Sequence, residues 1–231
     1  MDTTKKTKIY HLVVLDKSGS MNSIRKEAID GCNETLGSIR ATQLKYQETQ
    51  EHFVSLAAFC GCGVEMIYDA LPIDQAKDLT QCDYTPCCMT PLFDAIGICV
   101  NALRKKTADN ESSGVLVTII TDGHENASKE WNSKTVRKLI DECKEEGWMF
   151  SFLGAGSQFV EVATEISITN TMVWENTSVG TQKMFMKENE ARTRFCTKFD
   201  KLMHMHCHDI DGIEKKEILK SLSMNYYEDN K

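Results

Sequence analysis

HLVVLDKSGSM, residues 11–21, is an apolar run that ends in Asp-x-Ser-x-Ser. Residues 11–15 are short, β-branched and nearly continuous in hydrophobicity, the pattern of a strand covered on both faces of a parallel sheet. Asp16, Ser18 and Ser20 then fall at the strand's carboxyl end, where open α/β sheets bind their ligands. One carboxylate and two hydroxyls around Gly19 suit a tight loop whose oxygens converge on a hard cation. A divalent-metal site is the first expectation.

Working outward, the strand at residues 8–15 leads through the Ser-rich loop into a helix over 24–46, with Ile24, Ala28, Cys32, Leu36 and Ile39 at helical spacing. HFVSLAAFC (52–60) and VEMIYDA (64–70), joined by Gly61-Cys62-Gly63, predict a β-hairpin and so one antiparallel edge strand. A short helix is expected at 72–79 and a loop at 81–89. A second long helix spans 91–105, with Thr90 as N-cap and proline at its first position. GVLVTIIT (114–121) is the most strand-like segment, and it delivers a second carboxylate, Asp122, to a strand end. Helices at 131–146 and 157–166 alternate with strands at 148–153 and 172–174. The alternation predicts an α/β, Rossmann-like three-layer αβα fold with a mostly parallel sheet. Residues 178–203 are charged and helical, with Met184, Phe185, Phe195, Phe199 and Leu202 on the apolar side, and are expected to pack back on the sheet. The division expected is a domain over 1–177 and a C-terminal helix and tail over 178–231.

Composition narrows the function. The 231 residues carry a formal charge of −7 with no basic stripe, which argues against nucleic acid as partner. No stretch is long and apolar enough to span a bilayer, and the apolar run behind the basic N-terminus is too short for a signal sequence, so the expected location is cytoplasmic. Ten cysteines in a chain this rich in aliphatics read as reduced thiols, not staples.

Asp16-x-Ser18-x-Ser20, Thr90 in MTPLFDAIG and Asp122 in TIITDGHENAS together resemble the von Willebrand factor A (VWA) domains. The resemblance spans about residues 8–174. YDALPI (68–73), TPLFDAIG (90–97), TDGHENAS (121–128) and FLGAGSQF (152–159) are most similar to small free-standing bacterial or phage members, although an asparagine would be expected near Gly156. The resemblance implies a metal-ion-dependent adhesion site, with Ser18, Ser20 and Thr90 as direct ligands of Mg2+, Mn2+ or Ca2+. Asp16 and Asp122 would bind directly or through water. A partner protein's Asp or Glu would complete the shell. It implies binding without catalysis, in intracellular complexes that in some relatives include ATPases. Met21, Tyr84 and His124, in the three loops around the site, are the candidate partner contacts.

The rival reading is a metal-dependent phosphohydrolase. Haloacid-dehalogenase-type loops place a second aspartate two residues after the nucleophile, but Ser18 stands there and no hydroxyl supplies a proton near neutral pH as a carboxyl group does. An EF-hand fails at Met21, where the turn glycine belongs. Gly154-Ala155-Gly156 is half a dinucleotide fingerprint, with Phe159 at the third glycine's place. Cys60, Cys62, Cys82, Cys87 and Cys88 surround the same face. They read either as small hydrophobes or as a second, zinc-binding site that would stabilise a complex subunit. His204-Met205-His206-Cys207-His208 is a dense cluster of soft and borderline ligands, and the polar end MNYYEDNK is either frayed or in contact with another surface.

Overall fold

The computed structural model describes residues 6–108, 113–205, 212–224 and 226–228. Six strands form one sheet in the order β3-β2-β1-β4-β5-β6: β1 Thr7–Asp16, β2 Gln50–Cys60, β3 Gly63–Pro72, β4 Gly114–Thr121, β5 Met149–Ala155 and β6 Asn170–Trp174. Every neighbouring pair is parallel except β2 with β3. The expected fold class and its antiparallel edge strand are both present.

β1 lies inside the sheet, and its alternation assigns the two layers. Tyr10, Leu12 and Val14 pack with α2 (Leu92–Thr107), α3 (Ser133–Glu145) and α4 (Gln158–Glu165). Val13 and Leu15 pack with α1 (Arg25–Lys45) and with Met184 and Phe185 of α5 (Ser178–Met205). Ile9, Leu116 and Met149 meet Ala191, Phe195 and Phe199 of α5 and Leu219 of α6 (Gly212–Met224).

Several local expectations are corrected. Residues 72–79 form only a 3-10 turn at Ile73–Gln75. Asn33 clamps the backbone of Leu79 through both its amide groups, at 2.7 and 3.0 Å, and Arg40 binds the carbonyl of Ala76 at 2.8 Å, so the segment is held by α1 and not by its own helical bonds. Thr90 does not cap α2, which begins at Leu92. The amides of Phe93 and Asp94 are instead taken by Glu125 and Ser128, at 2.9 and 3.0 Å, from the segment after β4. α3 opens on a capping box between Asn132 and Thr135. Gly154 packs directly against Phe159, since a Cβ there would lie 2.2 Å from that side chain's own Cβ. The glycine is explained by strand–helix contact and requires no dinucleotide.

Tyr226 and Tyr227 in the polar end of the chain meet another surface, one of the two alternatives expected there. α6 was not expected, and Tyr226 beyond it is buried. Its hydroxyl and that of Tyr227 donate to Glu188 of α5 at 2.9 and 2.6 Å. Glu188 pairs with Arg192 one turn on at 3.0 Å, both side chains being almost wholly buried. Arg192 donates to Thr118 at 2.8 Å and to Nδ1 of His11 at 3.2 Å, so a charged pair is sealed between α5 and the middle of the sheet.

Candidate functional site

Asp16 is the last residue of β1 and fully buried. Its Oδ1 accepts from the backbone N–H of Ser18 at 2.6 Å, and its Oδ2 accepts from Oγ1 of Thr121 at 2.6 Å. The first bond bends the chain into the serine loop, and the second ties β1 to the end of β4. Ser18 and Ser20 lie with their hydroxyls 3.2 Å apart. Ser20 Oγ then donates to Asp122 Oδ1 at 2.6 Å, and the other oxygen of Asp122 accepts from Asn176 at 2.7 Å. Thr90 arrives from a third segment. It is fixed by exchange with Asn126, whose Oδ1 accepts from the Thr90 amide at 2.9 Å and whose amide donates to the Thr90 carbonyl at 3.1 Å.

Gly123 shows what the five oxygen-bearing side chains surround. A Cβ on it would lie 2.5 Å from Oγ1 of Thr90 and 3.1 Å from both Oδ2 of Asp16 and Oγ of Ser18. The space shared by those three oxygens is therefore kept open by the lack of a side chain. Burial pushes the carboxyl of Asp16 above its ordinary value, against the opposing hydrogen bonds from Thr121 and Ser18. Burial likewise raises Asp122, against Ser20 and Asn176. Two carboxylates held above their ordinary range next to three neutral hydroxyls form an electron-rich, all-oxygen donor set, which matches a hard divalent cation in chemistry and charge.

The structure brings together Asp16, Ser18, Ser20, Thr90 and Asp122, but it corrects two of the partner contacts. Met21 is buried against α1, and Tyr84 is buried with its hydroxyl on the carbonyl of Asp16 at 2.5 Å. Both are pillars under the loop and face no partner. His124 is exposed and stacks on Phe159, with ring centroids 5.2 Å apart. The large apolar side chain standing out beside Thr90 is Met89, 58% exposed. Sequence reading gave Thr121, Gly123, Asn126 and Asn176 no individual role, although Gly123 and Asn126 belong to the loop around His124 that it set beside the site. The first three lie in or beside the TDGHENAS segment already singled out, whereas nothing local marks Asn176. Cys60, Cys62, Cys87 and Cys88 gather next to this face, and Cys82 makes none of their thiol contacts. The side chains of the 204–208 cluster lie outside the described residues.

No family model matches the chain, and no curated protein matches it. Solved structures do. The pilus adhesin SpaC from Lactobacillus rhamnosus GG aligns with a TM-score of 0.60 at 13% identity, over 82% of this chain and 31% of that one. The SpRpn10 VWA domain aligns at 0.53 and 13% identity, over 80% of this chain and 95% of the domain. Proximal thread matrix protein 1 from the mussel byssus aligns at 0.51 and 12%, over 81% of this chain and 47% of that one. The chain thus matches under half the length of two of these proteins and nearly all of the isolated domain. At such identities the likeness establishes the fold alone, and the fold of this chain is VWA-like.

Proposed function

We propose that the oxygen cluster at the ends of β1 and β4 holds a divalent cation, Mg2+ or Mn2+, and that a carboxylate from a partner protein completes its coordination. Asp16, Ser18, Ser20, Thr90 and Asp122 would hold the ion, which would supply an electrophilic point at the loop face. The observation that carries the reading is the space at Gly123, next to Asp122, walled by oxygens of Asp16 and Ser18 from one chain segment and of Thr90 from another. Binding without catalysis is supported by the engagement of Asp16, both of whose oxygens hold the loop through Ser18 and Thr121. Met89, with Ser20, His124 and Asn126 exposed around it, would form the apolar part of the partner contact.

Calorimetric titration of metal-stripped protein with Mn2+ and Mg2+ tests this. One saturable site is expected, with no phosphate release from a phosphomonoester by the same material. Gly123→Ala should abolish the site or weaken it by more than about tenfold, a loss of over ~1.4 kcal/mol, because the new methyl occupies the space shared by Thr90, Asp16 and Ser18. Unchanged affinity in Gly123→Ala, with the fold intact by circular dichroism, would sink the assignment. Met89→Ala should leave metal affinity alone and weaken metal-dependent capture of partners.

A further inference from the structure

A second group of ligand-type side chains lies next to the first and has no part in it. Cys60 closes β2, Cys62 sits at the hairpin tip, and Cys87 and Cys88 come from the loop that leads to Thr90. The Cys60 and Cys87 sulfurs are 3.4 Å apart, Cys62 and Cys87 3.9 Å, and Cys62 and Cys88 3.4 Å. Sulfurs at the corners of a tetrahedron around zinc, each ~2.3 Å from the metal, lie roughly 3.8 Å apart. A disulfide would instead bring two of them to ~2.05 Å. Three of the six pairs are thus spaced about as such corners require, the sulfurs of Cys60, Cys62 and Cys87 all lie within 4.8 Å of one another, Cys88 joins them through Cys62, and none of the three pairs is at disulfide distance.

The backbone holds these positions without help from a metal. The amide of Cys87 donates to the carbonyl of Lys17 at 2.8 Å, the carbonyl of Cys88 accepts from Gly19 at 3.1 Å, and the amide of Lys17 donates to Phe59 at 2.7 Å. Hairpin tip and loop touch so closely that a Cβ on Gly61 would lie 3.1 Å from the amide nitrogen of Met89 and 3.2 Å from Cβ of Cys88. Cys60 is buried while Cys62 and Cys88 are exposed, which gives the cluster a closed floor and an open entry. The ammonium of Lys17, ion-paired with Glu65, also stands near Cys60 and Cys87.

We propose that Cys60, Cys62, Cys87 and Cys88 form a four-thiolate site for Zn2+ that clasps the loop over residues 80–89 to the β2–β3 hairpin. Four thiol protons pass to solvent on binding. The resulting complex carries two negative charges, and Lys17 sits where it offsets part of them. The site does not depend on how the oxygen cluster is read, since its ligands, softness and location are separate.

Cobalt tests it, because only thiolate ligation gives a sulfur-to-Co2+ charge-transfer band together with intense tetrahedral visible bands. The full chain, reduced and metal-stripped, should bind one equivalent of Co2+ with that spectrum, and Zn2+ should displace it. Cys62→Ser and Cys87→Ser, at saturating Co2+, should each lose about a quarter of the charge-transfer intensity, with the visible bands shifted, as expected when one of four thiolates is replaced. Losing a direct ligand should weaken binding by more than about the 100-fold that removal of an outer-shell partner costs. Cys82→Ser should bind as the parent does, and near-identical melting of all metal-free variants would show that folding is not at issue. No thiolate band in reduced, folded protein would overturn the proposal. So would a band of undiminished intensity in both serine variants, or loss of two hydrogens per cysteine pair in the mass of unreduced protein, which would assign the cluster to disulfides.

Discussion

Glu188→Ala is expected to remove about 3–5 kcal/mol of folding free energy, the usual consequence of breaking a buried ion pair from one side. The side chain accepts at Oε1 from Thr118, Arg192 and Tyr226 at 2.8, 3.0 and 2.9 Å, and at Oε2 from Tyr227 at 2.6 Å. Truncation leaves a buried guanidinium uncompensated and takes the Glu188 acceptor from two tyrosine hydroxyls. In a domain of this size the loss corresponds to a fall in Tm on the order of 10 °C. Glu188→Gln should cost less, since an acceptor oxygen remains for the hydroxyls. Urea unfolding of the three proteins, with m-values compared, decides it. A Glu188→Ala variant within about 1 kcal/mol of the parent would mean the pair is replaceable by packing alone.

The second large effect is acid sensitivity from two buried histidines. Arg192 donates to His11 Nδ1 at 3.2 Å, His11 Nε2 lies 2.9 Å from His52 Nδ1, and His52 Nε2 lies 2.9 Å from Gln50 Oε1. Gln50 in turn donates to Asp200 and to the carbonyl of Cys196, both at 3.2 Å. The donors run in one direction along this relay only if both imidazoles are neutral. Extra protons would set N–H against N–H, or N–H against the guanidinium. Burial accordingly lowers His11 well below the ordinary histidine value, reinforced by Arg192 and His52, and lowers His52 to about 4. With folded values below the unfolded 6.5, the unfolded chain takes up protons that the folded one refuses. Stability is therefore complete above about pH 6.5 and is lost as pH falls towards 4 and beyond. Each histidine costs about 1.4 kcal/mol per pH unit, so roughly 2 kcal/mol each is gone by pH 5. Denaturant midpoints at pH 7.5 and 5.0 measure it. His52→Gln should remove about half of the difference, and an equal slope in that variant would refute the relay.

These two effects centre on residues that sequence reading did not flag, and the reason is physical. Met184, Phe185, Phe195 and Phe199 were recognisable as the apolar stripe of α5, but two turns of that stripe are filled by Glu188 and Arg192. Charged letters read as solvated surface unless their partners are known, and here the partners sit in β1, β4 and after α6. His11 was absorbed into a hydrophobic run for the same reason. The strands, by contrast, were legible because burial on both faces leaves almost no polar letters, as in GVLVTIIT. Asp16, Ser18, Ser20, Thr90 and Asp122 were legible because each stands where such a run stops or beside a proline. Met21 and Tyr84 misled because a loop position says nothing about which way a side chain turns.

The strand order has a last consequence, for the kinetics and linkage of ligand binding. β1 lies between β2 and β4, pairing Leu15 with Ala58 on one side and with Ile120 on the other. The oxygens of residues 90 and 122 therefore reach those of residues 16–20 only after parallel strands far apart in sequence have docked, and the loop over 16–20, which carries three of the five side chains, is by itself only an open arc. Whatever ion enters it binds the native state and not the unfolded chain. Its free energy should then appear undiminished as global stability, about 2.7 kcal/mol at a hundred times Kd. It should appear mainly as slower unfolding, because an ion held only by the finished cradle stabilises the native state over the transition state.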